Sequence, residues 1–444
     1  MRIVMRFADV FGTIESMMLF RRRPTGWTFC LLLIVTLTTA CASNSDLEPA
    51  SVIEPSPTPT PFQPQSGSVD SPYDSPLLPQ VEPTFTPYPT PVSFAPANLS
   101  PVQIVPTNDG ISNGAPAELN NPLTGLPPSD PSLLDRRPMA IKIANAPDYI
   151  RPQSGLSMAD VAFEYYIEWG ETRFLAVYYG NDLDRVGPVR SGRFFDEHVA
   201  RMYHAYLVFK YADPREFDYL KASTLSDFLV VPGNGSCPPF AVGKQKRDTY
   251  NNIFFNTIKF ADCLAKEGKD NSRQTLRSGF FSDAPVGGAL AVNRIFIFYS
   301  PQSYGYWNYD AATRKYFRYQ EAQDITGNQP ETYAPLSDAE TGLPVTADNV
   351  IVLFVPHLFG NTFDEEDEVY HIDLVDSGQA FVFRDGIAIP ALWQRTDADQ
   401  PLLLTTLEGT PIYLRPGRTF YQVVGETSAY SQNGTDWRFT FGTP

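Results

Sequence analysis

From about residue 120 onward, apolar positions recur with a period of two in some stretches and near 3.6 in others. Met139–Ala144 (MAIKIA) reads as a strand. Val161–Glu168 and Thr172–Tyr179 are alternating runs joined through Trp169-Gly170-Glu171, which predicts a hairpin. After Ser191 the spacing changes. Phe195, Val199, Met202 and Tyr206 recur at i, i+4, i+7 and i+11 and define the core face of a helix. Asp213-Pro214-Arg215-Glu216 opens a second helix, with a capping Asp, Pro in the first turn and Glu three residues after the cap. A third spans Thr257 to Glu267 and stops at Gly268. From about Ala291 nearly all predicted elements are strands: Arg294–Tyr299, Asn349–Val355, Val369–Val375, Ala380–Arg384, Leu402–Thr406, Pro411–Leu414 and Thr419–Val424. Asp385-Gly386 and Glu408-Gly409 are hairpin-turn pairs. No repeat of fixed period is present. The fold class is α+β: a mixed α/β subdomain over 119–288, then a β-rich one over 289–444. Roughly 325 residues exceed what one core usually supports, which predicts two subdomains.

The preceding residues follow neither period. Arg21, Arg22 and Arg23 form a positive segment, Phe29 to Leu37 a short apolar one, and Thr38-Thr39-Ala40 lead to Cys41. The apolar run falls well short of the ~20 residues of a membrane-spanning helix and suits a cleaved signal. Cysteine directly after small residues resembles a bacterial lipobox, which implies lipidation of Cys41 and residues 1–41 as signal peptide. Thr38 stands where a Leu is usual, and an ordinary secretory signal with an incidental Cys is the alternative. Translation starting at Met17 or Met18 would give a more regular signal. Residues 42–118 are a Pro/Ser/Thr-rich tether, including PSPTPTP and PTFTPYPTP. Such proline density predicts disorder with polyproline II character and a maximum reach of ~240 Å at ~3.1 Å per residue.

Charge changes the picture only once it is divided. The net charge is −16, and eight acids (Asp46, Glu48, Glu54, Asp70, Asp74, Glu82, Asp109, Glu118) lie in the tether, which has no Lys or Arg. The folded region is only mildly acidic and has no basic runs, which argues against nucleic acid. Cys30 and Cys41 belong to the signal. Cys237 and Cys263 remain, either as a disulfide of an exported domain or as two buried thiols.

Candidate chemistry concentrates in one region. Period-two geometry places Ala162, Glu164, Tyr166 and Glu168 on one strand face. Glu164 and Glu168 would then be same-side carboxylates ~13 Å apart along the strand. Near them in sequence are Asn145, Arg151, Gln153, Ser154, Asp160, Arg173, Arg190, Ser191 and Arg193, with Tyr165, Tyr166, Trp169, Tyr178 and Tyr179. Three readings arise: a mutually satisfied structural network; a site for a polar ligand such as a wall glycan or peptide; and a glycan hydrolase using Glu164 and Glu168 as acid and base. Hydrolytic geometry needs carboxylates roughly 5–9.5 Å apart, less than the along-strand spacing.

Other signatures are weak. His198, His204, His357 and His371 have no metal-ligand spacing, and no metal or cofactor is expected. Ser236-Cys237 lacks the glycine of the L,D-transpeptidase nucleophile segment. The acidic run Asp364–Glu368 lacks the alternation of a calcium loop and reads as a solvated loop. Tyr304, Tyr306, Trp307, Tyr309, Tyr316 and Tyr319 form an aromatic-rich hairpin suited to a β core, with a sugar platform as the alternative.

The segments NPLTGLP (121–127), RPMAIKIAN (137–145), RPQSGLSMADVAFE (151–164), EWGETRFLAVY (168–178), VGPVRSGR (186–193), RDTYNNIF (247–254), NVIVLF (349–354) and LRPGRTFYQVV (414–424) occur in one order. In that order the chain resembles the YerB-like lipoproteins. The resemblance implies a lipoprotein address and an N- and a C-terminal domain of unknown function. It brings no activity. This chain departs where the family often has IDN (here Ile143-Ala144-Asn145) and a Pro-His-Asn segment (here Tyr250-Asn251-Asn252). The expected function is a lipid-anchored, extracytoplasmic binding or scaffold protein of the cell membrane. Its expected partners are the membrane, through Cys41, and a cell-wall polymer or another envelope protein.

Overall fold

The computed structural model describes residues 120–244, 250–276, 281–284, 290–359 and 369–443. The signal segment, Cys41, the tether and the acidic run at 364–368 lie outside them.

The strands, in chain order, begin with β1 (Met139–Ala144), β2 (Val161–Tyr166), β3 (Thr172–Tyr178), β4 (Tyr206–Val208), β5 (Leu229–Val230), β6 (Phe240–Val242) and β7 (Ile253–Phe255). Then come β8 (Arg294–Ser300), β9 (Ser303–Asp310), β10 (Lys315–Glu321), β11 (Tyr333–Pro335), β12 (Thr346–Ala347), β13 (Asn349–Val355), β14 (His357–Phe359) and β15 (Tyr370–Ile372). The chain closes with β16 (Asp376–Arg384), β17 (Ile387–Arg395), β18 (Leu403–Thr405), β19 (Thr419–Gly425), β20 (Ala429–Asn433) and β21 (Asp436–Thr440). Among the described residues three α-helices are interspersed: α1 (Phe195–Met202), α2 (Pro214–Ala222) and α3 (Phe260–Glu267).

A ten-stranded sheet runs β18-β17-β16-β13-β19-β2-β3-β1-β4-β5, and a seven-stranded one runs β11-β10-β9-β8-β21-β20 with β12 on β10. Strand β19 lies between β13 and β2, parallel to both. The sequence boundary at 288/289 therefore does not separate two bodies, because strands from either side of it share the large sheet. The molecule is β-rich with few helices, within the expected α+β class.

Both faces of the large sheet are buried. On one, Phe163 stacks on Tyr421 (4.4 Å) and meets Phe195 of α1 (6.1 Å). On the other, Phe420 packs on Trp307 (4.8 Å), and Phe381 and Phe383 pack on Trp437 (5.3 and 5.8 Å). The second sheet thus covers one face and α1 part of the other. The aromatic hairpin at 303–321 is core, as expected of Trp307, Tyr304 and Tyr316, each at most 1% exposed.

Local signals account for the element ends. Asp213 caps α2 by accepting from the Arg215 N–H (2.9 Å), and Gly268 ends α3 at φ 64°. The expected helix over Phe195–Tyr206 is shorter. It ends at Met202, His204 turns at φ 49°, and Tyr206 starts β4. In place of the expected strand over Pro411–Leu414, Pro411 forms an isolated bridge to Thr405 and Leu414 one to Phe281. Cys237 and Cys263 are joined as a disulfide.

Strands β13, β19, β2, β1, β4 and β5 point the same way. Their carboxyl ends share one edge of the sheet, where open α/β sheets commonly bind ligands.

Candidate functional site at the carboxyl edge of the sheet

Strand pairing divides the sequence-predicted residues between the two faces. Ala144, Arg173 and Tyr165 are cross-strand partners in one row, so their side chains share the α1 face. Glu164 and Thr172 belong to the opposite face, toward the second sheet. The expected Glu164/Glu168 pair does not exist as such. Strand β2 ends at Tyr166, Ile167 donates its N–H to the Glu171 carbonyl (3.0 Å), and Glu168 lies past the end of the alternation.

Glu164 is 1% exposed and ion-paired to the equally buried Arg318 (2.9 Å). Its second oxygen accepts from the Asn145 amide (3.2 Å) and the Thr172 hydroxyl (3.0 Å). From there a closed ring of contacts runs through the core. Arg318 donates to Gln320 (2.9 Å), Gln320 donates to Glu321, Arg151 pairs with Glu321, and Arg151 Nε donates to the Asn145 carbonyl (2.9 Å). Burial, opposed by Arg151, pushes the Glu321 carboxyl up to about 7. Gln153 donates to Asn145 Oδ1 and the Ala144 carbonyl (both 3.2 Å), while Ser154 exchanges backbone bonds with Gly187. Asn145, Arg151, Gln153, Ser154 and Glu164 are therefore framework that ties the two sheets together. The hydrolase reading fails on this geometry: one glutamate is sealed by an arginine, and the other is clamped elsewhere.

The remaining predicted residues do meet, at the carboxyl edge. Glu168 takes both arms of Arg193, with Nε–Oε2 at 2.9 Å, and Arg193 Nη1 also lies 3.3 Å from Glu216. Among the described residues Arg173, 5% exposed, donates Nη1 to the Ser191 carbonyl (3.1 Å), and its Nε is buried without an acceptor. Arg190 lies over the Tyr250 ring (4.6 Å), with Nε and Nη1 buried and unsatisfied. Lys210 covers the same ring (4.1 Å) and donates to the Tyr250 carbonyl (2.9 Å). Burial lowers the Arg173 guanidinium to about 9, and the charges of Arg193 and Arg190 add to that. Burial would raise the Tyr250 phenol, but the Ser191 hydrogen bond and the charges of Arg190, Arg173 and Lys210 hold it below its ordinary value.

A buried trio that sequence reasoning missed positions this edge. Lys142 pairs with Asp196 (3.0 Å), Tyr165 donates to the same carboxylate, and Asp196 accepts from the Arg193 N–H (2.8 Å). Asp196 sits in the first turn of α1, so the trio pins that turn, and Arg193 with it, to the sheet. Burial outweighs Asp196 and lowers Lys142 to about 7. The signal was present in the sequence: a lone lysine inside MAIKIA.

Of the aromatics expected nearby, Tyr165, Tyr166, Tyr178 and Tyr179 are buried core. The exposed ones at this edge are Trp169 (77%), Tyr211 (56%) and Tyr250 (53%). At the amino ends of the strands, the motifs at 121–127 and 414–420 line a cavity of about 190 Å³ with Asp160, Asn181, Lys315 and Asp348. Lys315 is paired there with Asp348 (3.2 Å), and Asp160 accepts the Tyr179 and Gly180 N–H groups (2.6 and 2.8 Å).

Glu216 gives the edge a pH signature. Burial, opposed by Arg193, raises its carboxyl to about 7. A carboxyl raised in the folded state contributes stability that is full below the unfolded value of about 4.3 and is lost as pH rises toward the folded one. The melting temperature of the wild type relative to Glu216→Gln is expected to fall between about pH 4.5 and 7 and then level off. A difference independent of pH would contradict this.

The comparisons with known proteins agree with the architecture. Residues 123–270 match the model described as "Protein of unknown function (DUF3048) N-terminal domain", and residues 295–421 match its C-terminal counterpart. The chain is 25% identical over 325 residues to "Putative lipoprotein YerB" of Bacillus subtilis (strain 168), covering 71% of this chain and 88% of that protein. A solved structure, described as the crystal structure of YerB protein from Bacillus subtilis, superposes with a TM-score of 0.56 at 24% identity. That match covers 69% of this chain and 96% of the other, and it supports the fold. With both domains present in order and the fold shared, the chain belongs to the YerB-like family.

Proposed function

We propose that this protein is a lipid-anchored lipoprotein on the extracytoplasmic face of the cell membrane that binds a polar polymer of the envelope. Cys41 would be its attachment point and the proline-rich tether its spacer. A relative named as a lipoprotein supports the address. So does the Cys237–Cys263 disulfide, because such bonds persist in oxidising compartments.

The observation that carries the binding role is the carboxyl edge itself. Three exposed aromatic side chains, Trp169, Tyr211 and Tyr250, belong to this edge, and Tyr250 lies under Arg190, a guanidinium that, like Arg173, pairs with no carboxylate among the described residues. Trp169 and Tyr211 are held at φ 55° and 56°, a left-handed backbone unfavourable for bulky residues. Strain of this kind clusters at ligand clamps and active sites. Flat amphipathic rings with fixed polar donors suit an extended polar ligand.

The full chain in detergent should co-sediment with purified cell-wall polymer and release no soluble fragments. Trp169→Ala and Tyr211→Ala should weaken retention. Absence of retention would remove the binding role, and fragment release would make the protein an enzyme.

A further inference from the structure

We propose that Arg173 and Arg190 form an oxyanion site at this edge, which holds a phosphate group of the bound polymer. The inference rests on the binding role above and names the chemistry that the site selects.

The starting point is an imbalance of partners. Arg193 absorbs two carboxylates, Glu168 and Glu216, and Asp196 is occupied by Lys142, Tyr165 and the Arg193 N–H. Among the described residues no carboxylate pairs with the other two arginines. Arg173 is 95% buried by its 5% exposure, yet among the described residues it donates to a neutral carbonyl and leaves Nε without an acceptor. Arg190 leaves Nε and Nη1 unsatisfied. Buried donors are ordinarily satisfied, and exceptions call for a missing partner.

The two guanidinium groups belong to one site. Arg173 donates to the Ser191 carbonyl, the Ser191 side chain bonds Tyr250, and Arg190 stacks on the Tyr250 ring. The Arg190 charge is also among the causes that lower the Arg173 guanidinium, as a like charge held close must. Two forks with free N–H groups, beside the Lys210 ammonium, form a receptor for an oxygen-rich anion with more than one acceptor. A phosphate fits that demand better than a neutral sugar, which offers no charge.

Ala144 provides an internal control. It is the direct cross-strand partner of Arg173 on the same face, and its methyl group offers no counter-charge. Aspartate at this position would supply the missing anion from within the protein.

The test titrates the full chain with inorganic phosphate, and with sodium acetate as a planar comparison, by calorimetry. Phosphate should bind more tightly than acetate. Arg173→Met and Arg190→Met should each weaken phosphate by about tenfold or more. Ala144→Asp should abolish phosphate binding without lowering the melting temperature, which separates loss of the site from loss of the fold. Unchanged phosphate affinity in all three variants overturns the inference, as does tighter binding of acetate. A parallel assay separates the two readings. If wall polymer stripped of phosphate is retained as well as intact polymer, the oxyanion site fails while the binding role stands. If phosphate binds at these arginines but no polymer is retained, the binding role fails and the site stands. Phospholipid vesicles serve as the third arm, and retention on them in place of polymer counts against the polymer as the source.

Discussion

Arg318→Met is expected to destabilise the folded protein by about 3–5 kcal/mol, the usual cost of stranding one member of a buried ion pair. Glu164 and Arg318 are both 1% exposed at the side chain, so neither can turn to water when the other is lost. The damage should spread, because Arg318 also holds Gln320, and Gln320 leads to Glu321 and Arg151. Those contacts join β10 of the second sheet to β2 and the end of β1 in the first. Removing both charges as Glu164→Met with Arg318→Met should restore much of the loss, since a well-packed apolar pair has no desolvation cost. Chemical denaturation of the two single variants and the double variant measures this directly. Additive losses, with no recovery in the double variant, would show that the pair is not the unit described here.

The second large effect lies in the disulfide. Cys237 and Cys263 are separated by 26 positions, and closing a loop of that length constrains the unfolded chain by about 3–4 kcal/mol in the chain-entropy view. The bond ties the segment before β6 to α3, whose buried Leu264 and Phe260 pack on the core. Cys237→Ala with Cys263→Ala should lower the denaturation midpoint accordingly, and reductant should lower the wild type to a similar level. A midpoint insensitive to both would contradict a structural role for the bond.

Much of the fold was legible because single segments carried it. The strands at 139–144 and 349–355 emerge with their expected bounds, and the hairpin at 161–178 differs only in where its strands end. Turn chemistry was reliable where glycine was required, as at Asp385-Gly386, where φ is 53° and 72°. Segments escaped when a local signal contradicted the tertiary outcome. Pro390 interrupts Ile387–Arg395, yet that strand pairs along its length with β16. The strands around Asn433-Gly434 are short, and β20 is exposed throughout.

The site was half legible for a different reason. Sequence brought the charged residues together but could not show which face each would take, and that depends on where β2 stops. Arg318, the partner of Glu164, is distant in sequence, so the structural role of the glutamate was invisible. Tyr211 and Lys210 follow β4, whose first residue, Tyr206, fits the helical spacing that starts at Phe195, and so they escape notice as part of the edge.

In the proposed reading, binding and folding reside in different members of what the sequence presents as one cluster. One measurement separates them: retention on wall polymer, normalised to the folded fraction, for Glu164→Gln and for Arg173→Met with Arg190→Met. The glutamate variant is expected to be less stable but to bind normally when folded, and the arginine variant to stay folded and lose retention. Retention lost in the glutamate variant and kept in the arginine variant would contradict it.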